Sequence, residues 1–267
     1  MFGKRRSNCA EDHILENLFA DPSALLIFAL IGFSAQLVDG ALGMAFGQIS
    51  STILISLGVP PAAASAGVHT AETFTTAVSA ISHVAHKNVD WRLFFRLAIP
   101  GVIGGVLGAY VLTAIDASTA KPFVLAYLTS LGLYLFYRGI MHRHTERTPK
   151  IVSPLGLVGG FLDAAGGGGW GGIVTSNLLV QGSNPRKTIG TVNTAEFFLT
   201  VTISATFIAT LGLKAFTVAT TGLLLGGVLA APFGAWIAKR VNPDLLLTFV
   251  GALLTTVSLY GLYWALA

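Results

Sequence analysis

The chain has 267 residues, of which 53% are hydrophobic and only 10% carry a charge. A soluble globular domain carries about 25% charged residues, so this chain has too few of them to cover a surface exposed to water. The composition excludes an ordinary soluble protein and predicts an all-α polytopic membrane protein. A β-barrel would need alternating segments of about ten residues, and the apolar runs here are longer and more continuous.

Residues 1–22 are polar and precede the first apolar run, so we predict a cytoplasmic N-terminal tail and not a cleaved signal peptide. The one cysteine, Cys9, lies in this tail, which excludes an intrachain disulfide and a zinc site built from several cysteines. The formal net charge of +4 does not indicate nucleic-acid binding. In a membrane protein, the positions of the basic residues carry the information instead.

Residues 32–85 recur at 156–209 without a gap, at an offset of 124. Each copy reads as an apolar helix with an aspartate, a glycine-rich break, a short apolar segment, a Gly/Pro turn, and a helix with a glutamate in its first turns. We expect the breaks at 43–47 and 166–171. Repeated helices that are interrupted at matching points indicate the binding site of a membrane transporter.

The apolar runs predict about eight spans in two duplicated four-span halves, each with a glycine-broken helix. The first half covers 23–138 and the second 151–267, with a cytoplasmic linker at 139–150 between them. If each broken helix pair makes one net crossing, both halves point the same way. An odd number of crossings per half would invert the second copy.

The parallel arrangement fits the positive-inside rule, because it places eleven basic residues in the cytoplasm and five outside. It assigns Lys87, Arg92 and Arg96 to the inner face, and Arg186 and Lys187 to the outer face. We therefore predict that both halves have the same orientation.

Four of the twelve acidic residues lie within apolar spans: Asp39, Glu72, Asp163 and Glu196. A charged side chain at the bilayer centre costs roughly 3 kcal/mol on insertion scales, so these groups need water, hydrogen bonds or protonation. We predict that all four take part in proton coupling. For the two aspartates the alternative is a structural role, in which each caps a broken helix end.

His69 lies three residues before Glu72 on one helical face, where the second copy has Asn193 before Glu196. Histidine transfers protons near neutral pH, so we expect the first half to handle protons and the second to supply neutral hydrogen bonds. The two glutamates are then not equivalent. The alternative is that His69 is only a structural partner of Glu72.

The glycine-rich breaks are predicted to bind an anion, because bare backbone N–H groups before a short helix attract negative charge without a basic side chain. Close helix packing is the alternative reason for these glycines. The predicted substrate-binding residues are the glycines and the polar groups near them: Gly43, Gly47, Gln48, His69, Thr70, Gly167, Gly168, Gly169, Asn177, Asn193 and Thr194.

The sequence contains no His-Glu-x-x-His, Gly-x-Ser-x-Gly or phosphate-loop motif. We therefore predict no catalytic residue, no metal and no cofactor. Two alternatives to a transporter stay open at this point. One is a passive channel, and the other is an intramembrane enzyme that uses Asp39, His69, Glu72 and Asp163.

Four motifs resemble the TauE/SafE sulfite exporter family, which belongs to the group also called toluene sulfonate uptake permeases. They are DGALGMAFG at 39–47, HTAE at 69–72, FLDAAGGGGWG at 161–171 and NTAE at 193–196. The resemblance covers roughly residues 24–266. The acids within the helices depart from the plainest family pattern, so no proton stoichiometry is carried over.

The resemblance implies a multi-pass secondary transporter of the bacterial inner membrane. It is expected to export a small sulfur-containing anion, such as sulfite or an organosulfonate, which binds between the halves at the glycine breaks. The expected partners are this anion and the lipid bilayer, with no nucleic acid. The sequence is compatible with a homo-oligomer but fixes neither the oligomeric state nor the anion.

Overall fold

The structure is a computed structural model that describes residues 22–42, 44–141, 149–181, 183–212, 218–238 and 243–266. All regular secondary structure in these ranges is helical, which confirms the predicted all-α class. Four helical segments are long and apolar enough to cross a membrane: Trp91–Ala114, Ala117–Ile140, Arg186–Leu211 and Leu247–Leu266. Shorter apolar segments lie at Ala24–Asp39, Gly171–Val180 and Val218–Ala231. The predicted tail at 1–22 lies, apart from its last residue, outside the described residues.

The helices follow one another with short connections. In chain order they are α1 (Pro22–Leu42), α2 (Phe46–Ser56), α3 (Pro61–Ala85), α4 (Trp91–Ala114), α5 (Ala117–Ile140), α6 (Ser153–Gly166), α7 (Ser176–Val180), α8 (Pro185–Leu211), α9 (Val218–Ala238) and α10 (Pro243–Leu266). A π-helical turn, Gly171–Thr175, runs directly into α7. Proline opens both α3 and α8, where its missing N–H leaves no helical hydrogen bond unmade.

The chain leaves the helix at both predicted glycine stretches. α1 ends at Leu42 and α2 begins at Phe46, while α6 ends at Gly166 and the helix resumes at Trp170. Between them, Gly167, Gly168 and Gly169 have φ values of 76°, 142° and 149°, a region that L side chains rarely adopt. Both breaks are narrower than predicted, because the next helix takes up the later residues of each stretch.

α3 and α8 pack antiparallel at the centre of the protein. The hydroxyl oxygens of Thr76 and Thr200 lie 3.4 Å apart. On one side of this point Asn193 Nδ2 donates to Ser79 Oγ over 3.3 Å. The end of α3 therefore lies beside the start of α8.

This packing corrects the predicted orientation. Lys187 Nζ donates to Lys87 O over 2.8 Å, and Arg186 Nε donates to Asn88 Oδ1 over 2.7 Å. Residues 87–92 and 186–187 therefore occupy the same end of the molecule, although the parallel arrangement puts them on opposite faces. We call this end, which carries Lys87, Arg92, Arg96, Lys150, Arg186 and Lys187, the basic end.

The physical reason for the correction is that the second broken helix turns back. Gln181, just after α7, accepts hydrogen bonds from the backbone N–H groups of Lys150 and Ile151, each over 2.9 Å. The pair α6–α7 thus starts and finishes at the basic end, so it forms a hairpin and not a crossing. The sequence interpretation counted it as one crossing, and that count reversed the direction of α8.

Glycines hold the remaining helix pairs close together. α1 packs on α9 and α6 packs on α4, while α5 packs against α10. A side chain at Gly226 would overlap the carbonyl oxygen of Ala29, and one at Gly104 would overlap that of Leu157. These glycines therefore permit backbone-to-backbone packing, as small residues do between membrane helices.

The placement of Lys87 and Arg186 at one end can be tested by cysteine labelling. We expect Lys87→Cys and Arg186→Cys, each made in a Cys9→Ser background, to react with a membrane-impermeant thiol reagent from the same side of the membrane. Lys121→Cys, in the first turns of α5 at the other end, should react from the opposite side. Labelling of Arg186→Cys and Lys121→Cys from one side would restore the parallel arrangement.

Candidate anion-binding site

The two glycine breaks meet backbone to backbone. A Cβ atom at Gly47 would lie 3.1 Å from Gly168 Cα, and a Cβ atom at Gly168 would overlap the Gly47 backbone. Ser51 Oγ, one turn further along α2, donates to Gly167 O. The structure therefore brings together two stretches that are far apart in the sequence, as the transporter hypothesis requires.

Asp39 and Asp163 play the same local role in the two breaks. Asp39 Oδ1 accepts from Phe46 N over 3.3 Å, and Asp163 Oδ1 accepts from Trp170 N over 2.8 Å. Phe46 and Trp170 are themselves matching positions of the repeat. Each aspartate thus caps the helix that follows its break, which is the alternative role considered from the sequence.

His69 binds Asp163 and not, as the sequence suggests, Glu72. Its Nε2 lies 3.0 Å from Asp163 Oδ2, and its Nδ1 lies 2.7 Å from Ser65 O. The exposed fractions of His69 and Asp163 are 0% and 2%. A carbonyl oxygen can only accept, so Nδ1 carries a hydrogen, and one proton is shared between Nε2 and the carboxyl group. The pair is then neutral overall and joins α3 of the first half to α6 of the second.

Glu72 lies where the two breaks touch. Its side chain is 5% exposed, and a Cβ atom at Gly47 would come within 2.9 Å of Oε1. The Gly47 backbone N–H faces the Glu72 carboxyl group. Glu72 therefore lies beside the contact between the two breaks.

Glu196 and Asp39 line a polar cavity of about 360 Å³. The cavity lies between α1, α3 and α8, and it extends to His83 in the last turn of α3, close to the basic end. Asp39, Glu72 and Asp163 therefore lie at the breaks, whereas Glu196 faces the cavity that Asp39 also lines.

The predicted neutral donors divide into two groups. Thr70, Asn177 and Thr194 each donate to the carbonyl four residues earlier in their own helix, so these donors are already engaged. Asn193 lies on the cavity wall, and Gln48 is buried with its Oε1 lacking a partner among the described residues. Gly43 lies outside the described residues.

Three side chains at the site are not predicted from the sequence. Tyr127 OH donates to Gly168 O over 3.1 Å, and Ser65 Oγ donates to Ala164 O over 2.7 Å. Ser51 binds the neighbouring Gly167 carbonyl. The polar character of Ser51 and Ser65 in apolar helices is a signal that could have identified them. Nothing in the sequence around Tyr127 distinguishes it from other aromatic residues of the spans.

In the part of the chain that the structure describes, no group of three or more His, Cys, Asp or Glu side chains is placed to hold a metal ion. The site consists instead of backbone groups, helix ends and four carboxyl groups. Buried acids at the meeting point of two interrupted helices, in a chain this apolar, define the class of multi-pass membrane transporters.

The family follows from comparison with known proteins. Residues 28–261 match the family described as Sulfite exporter TauE/SafE, and the chain belongs to this membrane transporter family. It is 41% identical over 243 residues to the Bacillus subtilis (strain 168) protein named "Probable membrane transporter protein YtnM", covering 88% of this chain and 81% of that protein.

A plant protein shows a weaker similarity. The Arabidopsis thaliana "Sulfite exporter TauE/SafE family protein 3" is 23% identical over 111 residues, which is 42% of this chain and 23% of that protein. No solved structure matches the chain.

The bond between His69 and Asp163 can be tested with a double-mutant cycle on the purified protein. Asp163→Asn keeps an oxygen that can cap Trp170 but removes the charge, and His69→Ala removes the ring. Removing one partner of a buried pair costs about 3–5 kcal/mol, so each single variant should be strongly destabilised, whereas the double variant should lose less than the sum. The free energy of unfolding in detergent measures this.

Asp39→Asn is the matched control, because Asp39 has the same capping role without a histidine partner. Its effect should add to that of His69→Ala. Additive losses for His69→Ala with Asp163→Asn would show that the two side chains do not form a pair.

Proposed function

We propose that this protein is a secondary transporter of the bacterial inner membrane that exports a small sulfur-containing anion, sulfite or an organosulfonate. The observation that supports this most is the backbone contact between the two breaks at Gly47 and Gly168, beside Glu72. The anion binds between the halves at these breaks. The names of the family and of the plant relative support sulfite as the first substrate to test.

Helix ends provide the attraction for an anion. The helix that starts at Phe46 and the one that resumes at Trp170 both have their first turns at the meeting point, one from each half. The positive ends of two helix dipoles therefore converge there. The described lysines and arginines lie in the connections and near the ends of their helices, so backbone amides carry the recognition.

Proton uptake accompanies anion binding in this proposal. The His69–Asp163 pair is already neutral, but Asp39 and Glu72 lie at the breaks and Glu196 lines the adjoining cavity. Like charges repel strongly in a medium of low dielectric constant. An anion can enter only when these carboxyl groups carry protons, so anion and proton bind together.

The two halves are inverted copies, and each contains a broken hairpin and three crossing helices. This arrangement replaces the predicted eight spans in two parallel halves. A pseudo-two-fold axis passes between Thr76 and Thr200, which are matching positions of the repeat and whose hydroxyl oxygens are 3.4 Å apart. The reciprocal pairs α1 with α9 and α6 with α4 support the same axis.

The basic end faces the cytoplasm. Of the eight lysines and arginines within the described ranges, seven lie at this end, counting Arg138 near the end of α5, and Lys121 lies at the other. Pro22 and Lys150 lie at opposite ends of the molecule. α8 starts at the basic end and finishes at the opposite end, where α9 follows it. Phe28, near the start of α1, packs against Gly222 in the first turns of α9, so α1 also begins opposite the basic end. We keep the cytoplasmic prediction for 139–150, and the proposal places Pro22 on the other side of the membrane.

The structure is one of two alternating states. Matching residues of the repeat have different partners: His69 binds Asp163, but its counterpart Asn193 binds Ser79. Ser51 binds the opposite break, whereas the hydroxyl of its counterpart Thr175 has no partner among the described residues. When the two halves exchange these hydrogen-bonding arrangements, the cavity lined by Asp39 and Glu196 closes. The matching cavity of the other half then opens at the opposite end of the molecule.

Sulfite flux into proteoliposomes, with and without a pH gradient, tests the function. A pH gradient should accelerate flux of the wild-type protein, because protons and anion bind together. Glu72→Gln should flatten this pH dependence, since glutamine can hydrogen-bond at the breaks but cannot exchange a proton. Glu196→Gln is the matched variant in the second copy. Glu196 lies on the wall of the cavity that Asp39 also lines, and its replacement should alter the pH dependence less.

Equal flattening in both variants would show that the two halves handle protons symmetrically. Sulfite flux that never saturates and ignores the pH gradient would identify a passive channel. Absence of sulfite flux with a folded protein would contradict the proposed substrate.

A further inference from the structure

A second polar cavity, of about 430 Å³, lies at the basic end. It is bounded by the first turns of α4 and α8 and by Pro149, just before α6. It shares no lining residue with the cavity of Asp39 and Glu196, and the two occupy different faces of α8. It is therefore separate from the proposed transport site.

The charge of this second cavity is positive. Arg92, Arg96 and Lys187 line it, together with one carboxylate, Asp90. Asp90 Oδ1 is already occupied, since it accepts from Arg92 N over 3.0 Å and from Leu93 N over 3.1 Å and so caps α4. Three cations thus face a single acid that is turned toward its own helix.

Two buried hydroxyl groups in the wall lack partners. Thr188 is 1% exposed and Ser183 is 8% exposed, and neither hydroxyl oxygen is hydrogen-bonded within the described residues. Buried polar groups are normally paired, and Thr194, two turns later in α8, donates to Gly190 O. Both hydroxyl groups can therefore donate a hydrogen bond to a ligand in the cavity, on the side where the cations lie.

We infer that this cavity binds a tetrahedral oxyanion, either the phosphate of a lipid headgroup or free inorganic phosphate. The forked guanidinium groups of Arg92 and Arg96 match such an anion, and Lys187 adds a third positive charge. Thr188 and Ser183 supply the hydroxyl donors. Basic pockets between membrane helices commonly hold phospholipid headgroups in this way.

The test uses the full-length protein in detergent and measures its thermal unfolding midpoint. One series adds inorganic phosphate at constant ionic strength, and a second adds phosphatidylglycerol or, as a control lipid without phosphate, diacylglycerol. Saturable stabilisation by phosphate and phosphatidylglycerol indicates a general oxyanion site, and stabilisation by phosphatidylglycerol alone indicates a lipid headgroup. Stabilisation by neither, or equally by diacylglycerol, would overturn the proposal.

Variants separate binding from folding. Arg92→Gln combined with Arg96→Gln should raise the apparent Kd roughly tenfold or more, because two charge-assisted contacts are lost. Lys121→Gln, at the other end, removes a positive charge outside the cavity; it serves as the control and should leave the Kd unchanged.

Thr188→Val removes only the unpartnered hydroxyl and nearly preserves the shape of the side chain. Without ligand it should melt at or above the wild-type temperature, since a buried unsatisfied group is gone. With ligand its apparent Kd should still rise several-fold. A wild-type Kd in both Thr188→Val and the double arginine variant would show that the cavity is not an oxyanion site.

Discussion

The close approach of Gly47 and Gly168 is the constraint on which the rest of the structure depends. Gly168 has no room for a Cβ atom and has a φ of 142°, so this side of the contact requires glycine, and a Cβ atom at Gly47 would crowd Gly168 Cα at 3.1 Å. Because the backbones touch, two helix starts and Glu72 share a small space. The capping aspartates then hold each helix start in place at this contact.

The same contact explains why four acids occur in so apolar a chain. Asp39 and Asp163 accept backbone N–H groups that the breaks leave unpaired, and His69 balances the charge of Asp163. Glu72 and Glu196 have no such cation bound to them in the described structure. In the proposed transport cycle, their protonation follows the charge of whatever occupies the space between the breaks, which links proton and anion binding.

Local features of the site follow from the sequence, but features that depend on how the halves face each other do not. The positions of the breaks and the caps were predictable, because a broken helix needs glycine and a nearby acceptor. The partner of His69 was not, since Asp163 lies 94 residues away. The predicted orientation was wrong because hydropathy alone cannot show that the chain turns back between α6 and α7. The hydrogen bond from Lys150 N to Gln181 Oε1 shows that it does.

Reciprocal accessibility of Ser82 and Thr206 tests the account most directly. Ser82 lines the cavity of Asp39 and Glu196, whereas Thr206, its counterpart at an offset of 124, is only 8% exposed. Each is changed to cysteine in a Cys9→Ser background and exposed to an impermeant thiol reagent from either side, with and without sulfite. We predict that conditions which slow labelling of Ser82→Cys from the cytoplasm accelerate labelling of Thr206→Cys from the other side. Simultaneous labelling from both sides, or a Thr206→Cys that never reacts, would contradict two inverted halves that exchange roles.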